Sequence, residues 1–290
     1  MKKLVAAALT LCMTFGLAAC GAQEAAAPEV TEEVVEEVAE EAAPAEETDA
    51  ESDMAYVQEK GVLVVGITDF EPMDYKDDSG NWIGFDADMA AAFAKSLGVE
   101  VEFIEIEWDN KINDLNTKTI DCVWNGMTLT DDVKKGMGTS NAYCNNAQVV
   151  VVKKEVADTI KTVDDIVSLK FAVEDTSAGQ EQLDALKEAG KNIEYVTLQK
   201  QADALMEVQA GTSDACVIDL LMAGAMIGEG TSYPNLVYTI KLNDEQYGVG
   251  FRKDSDLVKA LNDFMKKSYE DGSMMDIAKT YGVQESLIAQ

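Results

Sequence analysis

Thr119-Ile120-Asp121-Cys122-Val123 and Thr212-Ser213-Asp214-Ala215-Cys216-Val217 carry one pattern twice. Each is a polar turn that passes through an Asp into an apolar strand, and each follows a short helical stretch. Outward from the first copy, Val62-Leu63-Val64-Val65-Gly66-Ile67 is a continuous apolar run suited to a buried strand. Phe85, Met89, Ala92, Phe93 and Leu97 recur at helical spacing, and Gly98 supplies the stop. Residues 99–106 alternate apolar and acidic side chains like a half-exposed strand, Ile112 and Leu115 mark a short helix, and 148–152 is a further strand. Outward from the second copy, Phe171-Ala172-Val173 is a strand. Leu183, Leu186 and Ala189 share a helix face closed by Gly190, 193–198 is a strand, and Leu205 and Val208 belong to a helix. Such alternation predicts an α/β chain of two β-α-β-α-β lobes, each a mainly parallel sheet flanked by helices. A strand at 246–252 and helices around Leu257–Met265 and 274–281 follow. Open α/β sheets bind ligands beyond the carboxyl ends of their strands. Two such lobes facing each other therefore predict a ligand cleft between them, where closure also occurs.

The amino-terminal 53 residues are of another kind. Lys2 and Lys3 precede an apolar run from Leu4 to Leu17, and Leu17-Ala18-Ala19-Cys20 follows. A basic start, an apolar middle and a small-residue site describe a secretory signal over residues 1–20. The tetrapeptide resembles a bacterial lipobox, which makes Cys20 the expected lipid-attachment residue and the extracellular face of the cell membrane the expected location. Two or three acyl chains anchor stably where one is marginal. Residues 21–53 hold thirteen acidic residues, no Lys or Arg and no aromatic residue, so they are expected to form a disordered acidic tether.

Composition excludes several functions. The net charge of −31 disfavours nucleic acid and anionic bilayers as electrostatic partners. The chain has no histidine, which removes Ser-His-Asp and Cys-His catalysis and imidazole metal sites. No P-loop, G-x-G-x-x-G, G-x-S-x-G or close Cys pair occurs. No cofactor and no metal are therefore expected. Cys122, Cys144 and Cys216 remain for the folded part, and the apolar runs around Cys122 and Cys216 predict buried free thiols, with one disulfide as the alternative. Arg252 is the sole arginine.

Residues 57–283 resemble the type-3 extracellular solute-binding proteins, amino-acid receptors of ABC importers. The resemblance rests on the order and spacing of several stretches. These are Gly61-Val62-Leu63-Val64-Val65-Gly66, Tyr75-Lys76-Asp77-Asp78-Ser79-Gly80 with Gly84-Phe85-Asp86-Ala87-Asp88-Met89-Ala90, and Asn125-Gly126-Met127-Thr128-Leu129-Thr130. Ala172-Val173-Glu174 with Ser177-Ala178-Gly179-Gln180, then Gly248-Val249-Gly250-Phe251-Arg252-Lys253 and Asp271-Gly272-Ser273, complete the set. It implies a two-lobed periplasmic-binding-protein type II fold, with lobe 1 at 54–152 and 247–290 and lobe 2 at 153–246. It also implies a monomer that binds a small amino-acid-like solute and partners the permease and ATPase of an ABC importer, without catalysis.

Carried over residue by residue, the resemblance implies that Phe70 and Trp108 pack on the ligand side chain, core packing being the alternative. Gly126 and Thr128 would offer a carbonyl and a hydroxyl, and Ser177 a donor to a carboxylate at a helix start, where free N–H groups favour an anion. Asp219 would pair with the ligand ammonium, although a strand-end Asp also suits a helix cap. Asp69 and Glu174, with Asp219, make the cleft acidic. One position departs from the family: where an arginine would grip a carboxylate, this chain has Val133, in Thr130-Asp131-Asp132-Val133-Lys134-Lys135. Either Lys134 or another group replaces it, or the ligand is an amine lacking an α-carboxylate. A dehydratase-like enzyme on the same fold, with Glu174 or Asp69 as acid, is the remaining alternative.

Overall fold

The computed structural model describes residues 52–290. The signal segment, Cys20 and the expected tether up to Glu51 lie outside the described residues. The tether boundary read at Asp53 is corrected: Ser52 caps the first helix by accepting from Ala55 N at 3.0 Å, and Asp53 pairs with Arg252 Nε at 2.8 Å. No local signal reveals that contact, because its partner lies 199 positions along the chain.

In chain order the first part contains α1 (Asp53–Lys60), β1 (Val62–Ile67), β2 (Tyr75–Lys76), β3 (Trp82–Ile83), α2 (Phe85–Leu97), β4 (Glu100–Glu105), α3 (Lys111–Asn116), β5 (Cys122–Thr128), α4 (Asp131–Gly136), β6 (Gly138–Thr139) and β7 (Cys144–Asn146). The second contains β8 (Gln148–Lys153), β9 (Lys170–Glu174), α5 (Ala178–Glu188), β10 (Glu194–Leu198), α6 (Gln201–Ala210), β11 (Ala215–Asp219), α7 (Leu220–Met226) and β12 (Leu236–Lys241). The chain returns to the first through β13 (Glu245–Phe251), α8 (Leu257–Glu270) and α9 (Ser273–Thr280). One sheet has the order β4-β1-β5-β13-β6, with β7 also on β13, and the other the order β10-β9-β11-β8-β12.

The two copies of the Asp-to-strand turn are built alike. Asp121 N donates to Val64 O at 2.7 Å while its carboxylate accepts from Val64 N at 2.8 Å. Asp214 N donates to Lys170 O at 2.8 Å while its carboxylate accepts from Lys170 N at 2.9 Å. Each Asp thus closes the start of a parallel pairing, β1 with β5 and β9 with β11. The sheets share a parallel trio, but β13 runs antiparallel to β5 and β8 antiparallel to β11. They are mixed rather than mainly parallel because β8 and β13 are the strands that carry the chain between them. The first change of sheet falls at Ala147, not near 152–154, since β8 pairs with β11 and β12. Residues 148–152 are apolar enough for the middle of either sheet, and only pairing decides.

Cys122, Cys144 and Cys216 are free and buried, and burial pushes each thiol up. Arg252 is buried, donating to the carbonyls of Leu115 and Ile120 and pairing with Asp53 and Asp121. Among the described residues no helix is long and apolar enough to cross a membrane.

Candidate functional site

Four parallel strands, β1 and β5 of one sheet and β9 and β11 of the other, end on one cavity of about 370 Å³. Thr68, Asp69 and Phe70 follow β1, Gly126 and Thr128 lie at the end of β5, Glu174 ends β9 and Asp219 ends β11. Trp108 and Ser177 stand just ahead of α3 and α5. All eight candidates (Asp69, Phe70, Trp108, Gly126, Thr128, Glu174, Ser177 and Asp219) line this cavity.

Asp219 is held from three sides. Tyr247 Oη donates to its Oδ1 at 2.6 Å, Asn146 Nδ2 donates to the same oxygen, and Gln201 Nε2 donates to Oδ2. Gln201 Oε1 in turn accepts from Asp219 N at 2.9 Å, so the Gln clamps both ends of the residue. Asp219 does not cap the helix that follows it. Its side chain makes no capping bond to α7, and Asn146 Oδ1 instead accepts from Leu221 N at 3.2 Å. Behind it Glu245 accepts from Thr128 Oγ1 at 2.8 Å, Asn146 at 2.6 Å, Gln148 at 2.8 Å and Asn243 at 2.9 Å. This network joins both sheets where the chain crosses between them.

Glu174 is 4% exposed and Asp219 3%. Burial, and then the neighbouring Asp219, raise the Glu174 carboxyl to about 8. Burial, and then Glu245, push Asp219 up as well. Two crowded carboxyls favour an incoming cation, because a positive group offsets both the desolvation and their mutual repulsion.

On the opposite wall Gly126 has φ 53, and a Cβ there would meet Phe70 Cε1 at 2.2 Å. A side chain is therefore excluded twice, by backbone conformation and by the ring. Phe70 lines the cavity and packs edge-on to Tyr247 with centroids 6.3 Å apart. Ser177 Oγ donates to Glu174 O at 2.8 Å and accepts from Gln180 N at 3.2 Å, so its hydroxyl caps α5.

Sequence reasoning missed Asn125, Gln201, Glu181 and Lys111, which also line the cavity. Asn125 is locked between Thr68 and Asp74, donating to Thr68 O at 3.1 Å and Asp74 Oδ2 at 2.8 Å. Lys111 lies 4.6 Å above the Trp108 ring and donates to Trp108 O at 2.9 Å. The i, i+3 spacing of Trp108 and Lys111 around a helix start was the available signal. Val133 does line the cavity, whereas Lys134 is exposed and does not. Lys134 is thus withdrawn as the replacement for an arginine.

Residues 63–284 match the family described as bacterial extracellular solute-binding proteins, family 3. The chain belongs to that family. This solute-binding protein is 29% identical over 227 residues to the L-cystine-binding protein TcyJ of Escherichia coli (strain K12), covering 78% of this chain and 84% of the relative. A substrate-binding protein of an ABC uptake transporter from Streptococcus pneumoniae, with bound histidine, superposes with a TM-score of 0.71 at 29% identity, covering 80% of this chain and 96% of that one. An ancestral arginine-binding protein bound to arginine gives a TM-score of 0.69 at 31% identity, covering 76% and 98%. The fold is the two-lobed type II periplasmic-binding-protein arrangement that the family resemblance implied. In this solute-binding protein the cavity lies where the strand ends of the two sheets meet.

Proposed function

We propose that this chain captures a small amino-acid-like solute outside the membrane and delivers it to the permease and ATPase of an ABC importer. The observation that carries the reading is the pair of buried carboxyls, Glu174 and Asp219, on a cavity bounded by both sheets. A ligand ammonium there pairs with Asp219, and Trp108 and Phe70 cover its side chain. Because groups from both sheets would touch the ligand, binding favours the closed arrangement and shifts the population toward it, giving the permease a surface to recognise. The chain acts without turnover and as a monomer. Cys20 carries the acyl chains that keep it at the cell surface.

Isothermal calorimetry with L-cystine, L-histidine and L-arginine tests the capture. At least one is expected to bind tightly and to be recovered chemically unchanged by mass spectrometry, and turnover of the bound molecule would favour the enzyme alternative. For the anchor, palmitate labelling of cells is expected to mark the protein, and Cys20→Ser to abolish the label and release the protein to the medium.

A further inference from the structure

Among the described residues, Lys111 is the only cationic side chain that lines the cavity. Every other charged group on the wall is acidic, Glu174, Asp219 and Asp69 among them. The residue is 7% exposed, and its position is fixed at both ends of the side chain. Its backbone begins α3, while Nζ donates to Trp108 O and sits over the Trp108 ring. No carboxylate of the described residues comes within 4.0 Å of Nζ. A carbonyl and a ring face satisfy part of an ammonium with three donors, and leave donors facing the cavity. Burial lowers its pKa to about 8, against the pull of Glu174, Asp109, Glu181 and Asp175, so it is largely protonated at neutral pH.

A buried ammonium without an ion pair is costly unless an anion arrives with the ligand. A ligand bearing only cationic ends would meet Lys111 with repulsion. One with a carboxylate beside its ammonium satisfies both walls at once. We propose that Lys111 is the carboxylate anchor of this cleft, and that the solute is a zwitterionic amino acid whose carboxylate lies at Lys111 while its ammonium lies at Asp219. This assignment rests on the amino-acid capture proposed above. It selects between the two ligand chemistries that Val133 left open, in favour of the amino acid.

The test uses matched probes that differ by one carboxylate group at each amine-bearing carbon: L-arginine with agmatine, L-histidine with histamine, and L-cystine with cystamine. Calorimetry on the wild-type protein is expected to show at least one amino acid binding about 30-fold or more tightly than its amine, the loss that truncating one partner of a buried charge pair brings. In Lys111→Met, with its melting transition checked, the two members of that pair are expected to bind within a few-fold of each other. Adding Val133→Arg to Lys111→Met places a cation elsewhere on the same cavity wall, and is expected to restore part of the preference. An undiminished preference in Lys111→Met, or amines that match their amino acids in the wild type, would overturn the assignment and leave solute capture standing. Binding of none of the six probes would overturn both.

Discussion

Thr176 holds φ 53 in the turn between β9 and α5, where its N–H donates to Gln180 Oε1 at 2.6 Å. A β-branched side chain in the left-handed region costs about 1–2 kcal/mol. Thr176→Gly is expected to raise stability by about 1 kcal/mol in chemical denaturation, the relief being partly offset by the freer unfolded chain. An unchanged or lower midpoint would show that the hydroxyl or methyl makes a compensating contact. Glu174 makes a pH prediction. Its carboxyl is raised from 4.5 to about 8, so the folded chain binds this proton more tightly than the unfolded chain does. The stability it contributes is complete below pH 4.5 and is lost as pH rises to about 8. Asp219, Asp74 and Asp86 are shifted in the same direction, chiefly by burial. The ligand-free protein is expected to melt at a lower temperature at about pH 8 than at about pH 5, and Glu174→Gln to lessen that fall. A curve flat between those values, or a variant curve parallel to the wild type, would contradict the shift. Residues placed by strand ends were legible in the sequence. Lys111 was signalled only by its i, i+3 spacing from Trp108, because a lysine at a helix start looks solvated until the Trp108 ring and the facing wall are in place.

At the scale of elements, the repeated Asp-to-strand turn is one device used under two loads. Asp214 closes the β9–β11 start, its carboxylate accepting from Lys170 N. Asp121 closes β1–β5 and also pairs with Lys60 at 2.6 Å and with the buried Arg252 at 3.3 Å. Removing one partner of a buried ion pair costs about 3–5 kcal/mol, whereas losing a backbone closure costs about 1 kcal/mol. Asp121→Ala is therefore expected to destabilise several times more than Asp214→Ala in urea unfolding, and equal losses would reject this division. The strand–helix alternation and the likeness of the lobes were legible from period alone. The assignment of β8 to the second sheet was not. An apolar run announces a buried strand, but its backbone groups do not announce their partners.

For the whole molecule, Glu105 at the end of β4 pairs with Lys200 ahead of α6, with Lys76 also on Glu105 at 3.3 Å. The Lys200–Glu105 pair links the end of β4 to the start of α6, acts on the cavity-lining Asp69, and is about one-third exposed on both sides. An exposed pair contributes about 0–1 kcal/mol. Lys200→Met is therefore expected to speed ligand release by up to about fivefold, and added salt to narrow the difference from wild type. Stopped-flow fluorescence can follow this through Trp108 on the cavity wall. A release rate unchanged at low salt would show that the pair does not latch the closed form.

By itself the sequence determined the α/β alternation and the repeated lobe plan, and it set Phe70 after the first strand and Asp219 at the end of its own. It also excluded histidine chemistry. These are local properties, written at spacings of about two and between about three and four residues along the chain. Only the tertiary structure decided that Asp219 faces Asn146, Gln201 and Tyr247 rather than a helix end, and that the sole arginine ties α1 to the sheet away from the cavity. It alone set one lysine on the wall of an acidic cleft. Those partners are separated by 73 residues for Asn146 and Asp219, 117 for Thr128 and Glu245, and 199 for Asp53 and Arg252. Such contacts form when hydrophobic burial brings two sheets together, and no local pattern encodes which side chains then meet.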